Sequence, residues 1–459
     1  MTTLQLISPI DGSVHATREC ISLDAAVTVV GRARQAQARW KRRPLAERIQ
    51  IVRGFLDQLL AMADEVVPEL AWQMGRPVRY GGEFGGVRER GEYMLSIAEA
   101  ALAPIEIENS DAFHRFIARE PVGVVMVIAP WNYPFLTAIN AIVPALVAGN
   151  AVLLKHATQT LLAGERFQLA ADRSDLPKGL FVNLTLDHAV TEAVLAAGLV
   201  DFVNFTGSVG GGQAIERAAA GTFTGIGLEL GGKDPGYVME DADIARAVDT
   251  LIDGAMFNSG QCCCGIERIY VAEKRFDEFV DRAVTLVETY KLGNPLDSET
   301  TLGPMAHTRF AELVRSQIAD ALAGGARGLV DQDLFPADAP GTPYLAPQIL
   351  IDVDHSMRVM REESFGPVVG IMSVKDDAHA VALMNDSQFG LTASLWTADR
   401  DRAEAIGREI ETGTVFMNRC DYLDPALCWT GCKDTGRGAS LSVLGYQALT
   451  RPKSFHLRT

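Results

Sequence analysis

The run Val122-Gly123-Val124-Val125-Met126-Val127-Ile128-Ala129, followed at once by Pro130-Trp131-Asn132-Tyr133-Pro134, decides the fold. It is apolar without alternation and rich in β-branched residues, the mark of a strand covered on both faces. Ala151-Val152-Leu153-Leu154 has the same texture, as do Phe181-Val182-Asn183-Leu184 and Asp201-Phe202-Val203-Asn204-Phe205. Between them, residues 133–148 and 159–173 carry helical patterns. Buried strands alternating with helices predict an α/β fold built on a parallel sheet, and such sheets bind ligands in the loops beyond the carboxyl ends of their strands.

Working outward, residues 23–75 read as packed helices. Leu45, Ile49, Val52, Leu56 and Leu59 recur at helical spacing behind Pro44, which suits a first turn. Arg39-Trp40-Lys41-Arg42-Arg43 reads as a solvated helix end rather than a phosphate-binding patch. A second α/β set follows from about Gly232, with a strand at Arg268-Ile269-Tyr270-Val271-Ala272 and a helix over 275–290. A chain of 459 residues is too long for one core, so two or three domains are expected. The net charge of −16 disfavours nucleic acid as a partner. No apolar run is long enough to span a bilayer, and the start lacks a secretory pattern. The seven cysteines (Cys20, Cys262, Cys263, Cys264, Cys420, Cys428 and Cys432) are odd in number and unevenly spread, which predicts free thiols in a reducing cytoplasm.

Four segments carry candidate chemistry. In Phe257-Asn258-Ser259-Gly260-Gln261-Cys262-Cys263-Cys264 the cysteines follow a helix at a turn, where a thiol is accessible as a nucleophile. A metal site is not expected there, because successive side chains diverge; three small core residues are the structural alternative. In Leu228-Glu229-Leu230-Gly231-Gly232-Lys233 an acid sits in an apolar strand, an environment that raises a carboxyl pKa and suits a general base; on the local sequence alone a salt-bridged structural glutamate, paired for instance with Lys233, is the favoured reading. Asn132 lies just past a buried strand, where its amide suits an oxyanion, or simply a turn. Phe205-Thr206-Gly207-Ser208-Val209-Gly210-Gly211-Gly212 joins a strand to a helix without the G-x-G-x-x-G spacing, and reads either as a phosphate-binding turn or as a plain loop.

Taken in order, these segments resemble the aldehyde dehydrogenase superfamily. The shared motifs are P-W-N-x-P at Pro130 to Pro134, L-L-K at Leu153-Leu154-Lys155, F-T-G-S at Phe205 to Ser208, L-E-L-G-G-K at Leu228 to Lys233, F-x-x-G-Q-x-C ending at Cys263, and E-x-F-G-P from Glu363 through Phe365 to Pro367. The resemblance implies Cys263 as nucleophile, Asn132 with the Cys263 N–H as oxyanion hole, and Glu229 as the base that activates hydrolytic water. It implies NAD or NADP as cofactor, with Lys155 and Glu363 at ribose, Gly207 and Ser208 at pyrophosphate, Phe365 beside the nicotinamide, and Trp131, Thr158 and Leu230 also in the cofactor site. Tyr133, Asn140, Phe257 and Arg419 map to a substrate tunnel, where Arg419 would suit a semialdehyde bearing a carboxylate unless it pairs with Asp421.

The fold implied is two Rossmann-like parallel-sheet domains plus a small β extension that joins subunits. A cofactor domain would take 1–103 and 122–231, a catalytic domain 232–443, and the extension 104–121 with 444–459, giving a homodimer or tetramer with no membrane or nucleic-acid partner. Two departures stand out. Thr158 occupies the place of a glutamate that binds the adenosine ribose in many NAD-using relatives, so NADP is expected to be tolerated, with Lys155 or His156 attracting its 2′-phosphate and NAD the default. The late glycine loop reads Leu427-Cys428-Trp429-Thr430-Gly431-Cys432-Lys433 instead of the family's P-F-G-G-x-K. A coenzyme A-acylating dehydrogenase is the nearest alternative, opposed by Glu229. A cofactor-free cysteine hydrolase or acyltransferase would leave the Gly207 turn and the Glu363 segment without a role, and the intact Cys263, Asn132 and Glu229 set speaks against a silent homologue.

Overall fold

The structure is a computed structural model and describes residues 2–458. Its first sheet runs, in spatial order, Gly436–Arg437, Gly225–Glu229, Phe202–Thr206, Val124–Ala129, Ala151–His156 and Phe181–Asn183, all parallel except the short Gly436–Arg437 edge. Every residue of Val124–Ala129 is buried, as its unbroken apolar run requires of a central strand. The chain starts at that strand, winds to Phe181–Asn183 on one side, then returns to add Phe202–Thr206 on the other. The order therefore reverses between Val124–Ala129 and Phe202–Thr206, which opens a crevice beyond their carboxyl ends. Helices Leu23–Trp40, Pro134–Ala148 and Leu161–Arg173 pack on this sheet. Pro134 opens its helix at the first turn, and Gly149 ends it at φ 102°.

A second sheet carries Arg327–Gly328, Gln348–Ile351, Val368–Val374, Ile266–Ala272, Asp234–Val238, Thr392–Trp396 and Thr414–Met417 in spatial order, parallel except for Arg327–Gly328. Its core includes Leu251, Ile269, Phe279, Ile371 and Trp396. A third, antiparallel sheet joins Ile105–Asn109, Phe113–Pro121 and Thr450–Arg458, where Phe116 stacks on Phe455 with centroids 4.5 Å apart. No described helix is long and apolar enough to cross a membrane.

The chain does not change layer at residue 443, where the sequence suggests a boundary. Trp429, Leu441, Tyr446 and Leu449 bury in the first core, and Gly436–Arg437 pairs with Glu229 and Leu228. Helix Ser442–Ala448 packs on helices Phe84–Leu102 and Pro134–Ala148, with the Tyr446 hydroxyl donating to the Met94 carbonyl at 2.8 Å. The small sheet takes up the chain only at Thr450. Burial of these apolar side chains draws the tail back across the first unit.

Candidate active site

Trp131 and Asn132 leave one side of the crevice, and Gly207 and Ser208 the other. The Ser208 side chain caps helix Val209–Ala219, its Oγ accepting from Gly211 N at 3.2 Å. The end of this 11-residue helix presents a partial positive charge to the crevice. Lys155 lies near the carboxyl end of Ala151–His156, and burial lowers its pKa. Thr158 opens the short turn Thr158–Thr160. Glu363 accepts from Gly232 N at 3.1 Å, and burial together with the nearby Glu267 charge pushes its carboxyl up to about 8. Trp131 stacks on Phe310, centroids 5.3 Å apart, and meets Phe365 edge-on at 5.5 Å. A helix N-terminus, an ammonium, a carboxylate and aromatic faces are groups of the kind a dinucleotide can use. His156 is not among them. The ring is buried against the Pro134 carbonyl (3.1 Å) and Thr160 Oγ1 (3.2 Å), and burial drops it to about 4. It is neutral above that pH and turned inward, so the attraction for a 2′-phosphate expected of it does not arise.

The thiols sit beyond an unusual turn. After helix Ile244–Met256 the backbone is left-handed at Asn258 (φ 54°), Ser259 (φ 55°) and Gly260 (φ 72°). Such a conformation costs a non-glycine residue about 1–3 kcal/mol and persists only where surroundings hold it. Here Asn258 Nδ2 donates to Gln261 O at 3.2 Å, Gln261 Nε2 to Asn258 O at 3.0 Å, and Ser259 Oγ to Gly303 O at 2.8 Å. Gln261 Oε1 accepts from Ala306 N at 2.7 Å. A Cβ on Gly260 would lie 2.2 Å from Gly366 O, so glycine lets the E-x-F-G-P segment seat against the cysteine turn. Gly232 similarly backs onto the Cys263 carbonyl, 2.4 Å from where its Cβ would stand.

The expectation that the three cysteine side chains diverge is overturned. Their sulfurs lie within 4.8 Å of one another, because the chain turns on itself with Gly265 N donating to Cys262 O at 3.1 Å. Cys262 and Cys264 sulfurs are 3.6 Å apart and both donate to Asp421 Oδ1, at 3.3 and 3.0 Å. Cys263 is the half-buried one of the three. The Cys262 and Cys264 thiols beside it pull Cys263 down to about 6, while Cys262 is pushed up to about 12 and Cys264 well above its usual range. The three thiols thus titrate as a group in which Cys263 is the most acidic.

Cys263 and Glu229 both line a cavity of about 300 Å³, together with Tyr133, Asn140, Phe257 and Leu230. Glu229 accepts from Thr206 Oγ1 at 3.0 Å, and burial raises its pKa. It does not pair with Lys233, which is bound to Glu267 at 2.5 Å. Asn132 is buried beside the cavity, its Nδ2 donating to Gln261 O at 3.3 Å, two residues before Cys263. Arg419 does not line the cavity: it is exposed and lies over the Tyr422 ring at 3.4 Å. Nor does it pair with Asp421, whose carboxylate turns inward to the thiols.

The cavity's cation is Arg90, which the sequence reading missed. It lies on the buried face of helix Phe84–Leu102, among Val87, Gly91 and Met94, so helical spacing alone would have exposed an arginine in an apolar stripe. Also missed was the buried pair Arg76–Glu83, 2.7 Å apart. Glu83 Oε2 accepts from Phe135 N (2.9 Å) and Leu136 N (2.7 Å), capping helix Pro134–Ala148, while Arg76 donates to the Asn132 carbonyl. No local pattern announces that pair, since its partners come together through tertiary packing.

The aldehyde dehydrogenase family model matches residues 1–455, and the chain belongs to that family. It is an NAD(P)-dependent aldehyde dehydrogenase. A succinate-semialdehyde dehydrogenase [NADP(+)] of Deinococcus radiodurans is 33% identical over 455 residues, covering 97% of this chain and 93% of that protein. A geranial dehydrogenase of Castellaniella defragrans is 32% identical, covering 95% and 90%. The crystal structure of succinate-semialdehyde dehydrogenase from Burkholderia pseudomallei superposes with a TM-score of 0.94 at 28% identity, covering 100% of this chain and 95% of that one.

Proposed function

We propose that Cys263 is the nucleophile, Asn132 an oxyanion donor and Glu229 the hydrolytic base in the oxidation of an aldehyde to its carboxylic acid. The carrying observation is the shared cavity, lined by both a sulfur whose pKa is drawn down to about 6 and a carboxyl of raised pKa. The Cys263 thiolate adds to the aldehyde carbon, and the carbonyl oxygen takes the electron pair. The Cys263 backbone N–H and the Asn132 amide donate to that oxyanion, Asn132 turning to it from the Gln261 carbonyl; losing one such donor costs about 10²–10³ in turnover. A nicotinamide held beside Phe365 would supply the hydride acceptor that collapse of this adduct requires. Cys263 then holds a thioester. Glu229 takes a proton from water, the water oxygen joins the acyl carbon, and the carbon–sulfur bond breaks to free the acid and the thiolate. Burial makes Glu229 a stronger base than a solvated glutamate.

Lys155 and Glu363 are assigned to ribose hydroxyls, Gly207 and Ser208 to the pyrophosphate, Phe365 to the nicotinamide face, and Trp131, Thr158 and Leu230 to the walls of the same site. Thr158 brings no carboxylate to repel a 2′-phosphate, so NADP is tolerated beside NAD. The first sheet forms the cofactor domain, the second the catalytic domain, and the small sheet joins subunits into a homodimer or a pair of dimers. Ile105, Ile107 and Leu457, exposed on that sheet, support this assembly. Seven free cysteines support a reducing cytoplasm.

An aldehyde panel followed by reduced-nicotinamide absorbance, with each cofactor in turn, tests the proposal. Cys263→Ala should abolish turnover, while Cys262→Ala and Cys264→Ala keep it. Turnover retained by Cys263→Ala removes the nucleophile assignment, and product found only with coenzyme A present removes the role of Glu229.

A further inference from the structure

We propose that Arg90 is the anchor for an anionic group on the substrate, so that the preferred substrates are short aldehydes carrying a carboxylate. This deepens the reading above and rests on it. Arg90 is 8% exposed, lines the cavity that holds Cys263 and Glu229, and forms no ion pair with a described carboxylate. Its Nη1 donates to the Leu136 carbonyl (3.1 Å) and to Asn140 Oδ1 (3.3 Å), while Nη2 and Nε meet no acceptor among the described residues. A largely buried guanidinium without a counter-ion is costly, and the free edge of its planar fork, open to the cavity, matches a carboxylate in two-point geometry.

The acidic groups facing Arg90 do not fill that place. They are Cys264, Glu83, Glu229 and Asp421. Glu83 is bound to Arg76 and to two helix N–H groups. Glu229 takes the Thr206 hydroxyl, and Asp421 takes two thiols, one of them that of Cys264. Burial pushes Glu83, Glu229 and Asp421 upward, and each already accepts from a donor other than Arg90. The cation is thus held in place by Leu136 and Asn140 with one edge turned to the cavity. A structural role alone would be met by Nη1 and leaves that edge unexplained. Family membership does not dictate this preference, since relatives at similar identity include enzymes named for an acidic and for a neutral aldehyde.

The test compares kcat/KM for succinate semialdehyde and for butanal, which has the same number of carbons and no charge. The wild type should prefer the acid at least about tenfold to a hundredfold. Arg90→Met should lose far more kcat/KM for the acid than for butanal, through a higher KM for the acid, so that most of that preference disappears, and Arg90→Lys should restore part of it. Succinate should compete with aldehyde in the wild type, which needs no variant to fold. Equal use of both aldehydes by the wild type, equal losses for both in Arg90→Met, or no competition by succinate would overturn the proposal. Failure to oxidise any aldehyde would instead strike the activity beneath it.

Discussion

The sulfur of Cys263 differs from its neighbours in what it receives. Cys262 and Cys264 donate to Asp421 and lie close against the central sulfur, and Cys263 is the thiol whose pKa is drawn down. In the role proposed for Cys263, its acidity depends on the flanking thiols, although neither needs to bond substrate. Cys264→Ala should remain active, but the pH midpoint for alkylation of Cys263 by iodoacetamide should climb from about 6 toward the free-thiol value near 8.5. An unchanged midpoint would show that the neighbours do not tune it. The sign follows from charge: a donor stabilises the thiolate, so its removal makes the proton harder to lose. The choice of Cys263 among the three came from the spacing after Gln261, which the family motif fixes by counting. The convergence of the three side chains was not legible, since it depends on the turn closed by Gly265 and on a carboxylate 157 residues away from Cys264.

At the scale of elements, two short devices aim the site. One is the left-handed Asn258-Ser259-Gly260 turn. The other is the buried Arg76–Glu83 pair, which ties the Asn132 loop to the start of helix Pro134–Ala148. Glu83→Gln leaves Arg76 uncompensated in the interior. It should cost about 3–5 kcal/mol in denaturant unfolding and lower kcat through a displaced Asn132; an unaltered unfolding midpoint would contradict this clamp. At the end of strand Ala151–His156, Thr158→Glu should shift the ratio of specificity constants toward NAD. A wild type with a clear NAD preference that the variant does not change would refute the role given to Thr158. The strands were readable because a strand buried on both faces cannot alternate, and Val124–Ala129 and Ala151–His156 do not. The capping glutamate was unreadable, since Glu83 acts on a helix that begins 51 residues later in the chain. Arg419 misled for a related reason: its neighbour Tyr422 offers a nearer surface than the cavity, and an arginine stacks there without facing water alone.

Over the whole molecule, motifs far apart in the chain come together, Trp131 against Phe365, Thr206 against Glu229, Gly232 against Glu363, and the tail returns to the first sheet and its helices through Gly436–Arg437 and Tyr446. The order of motifs was legible; the return of residues 429–449 to the first core was not, because alternation in the tail speaks only of strands and Leu441 and Tyr446 find their groove through packing. The small sheet exposes Ile105, Ile107 and Leu457, so Ile107→Asp with Leu457→Asp should yield a lighter species by sedimentation, whereas an unchanged mass would place the subunit contact elsewhere. In the proposed reaction, hydride loss precedes acyl release from one sulfur. Glu229→Gln, mixed with aldehyde and cofactor, should liberate about one equivalent of reduced nicotinamide per site in a rapid burst and then stall, with intact-mass and peptide analysis placing the acyl group on Cys263. A burst without an adduct on that residue, or steady turnover at the wild-type rate, would contradict it.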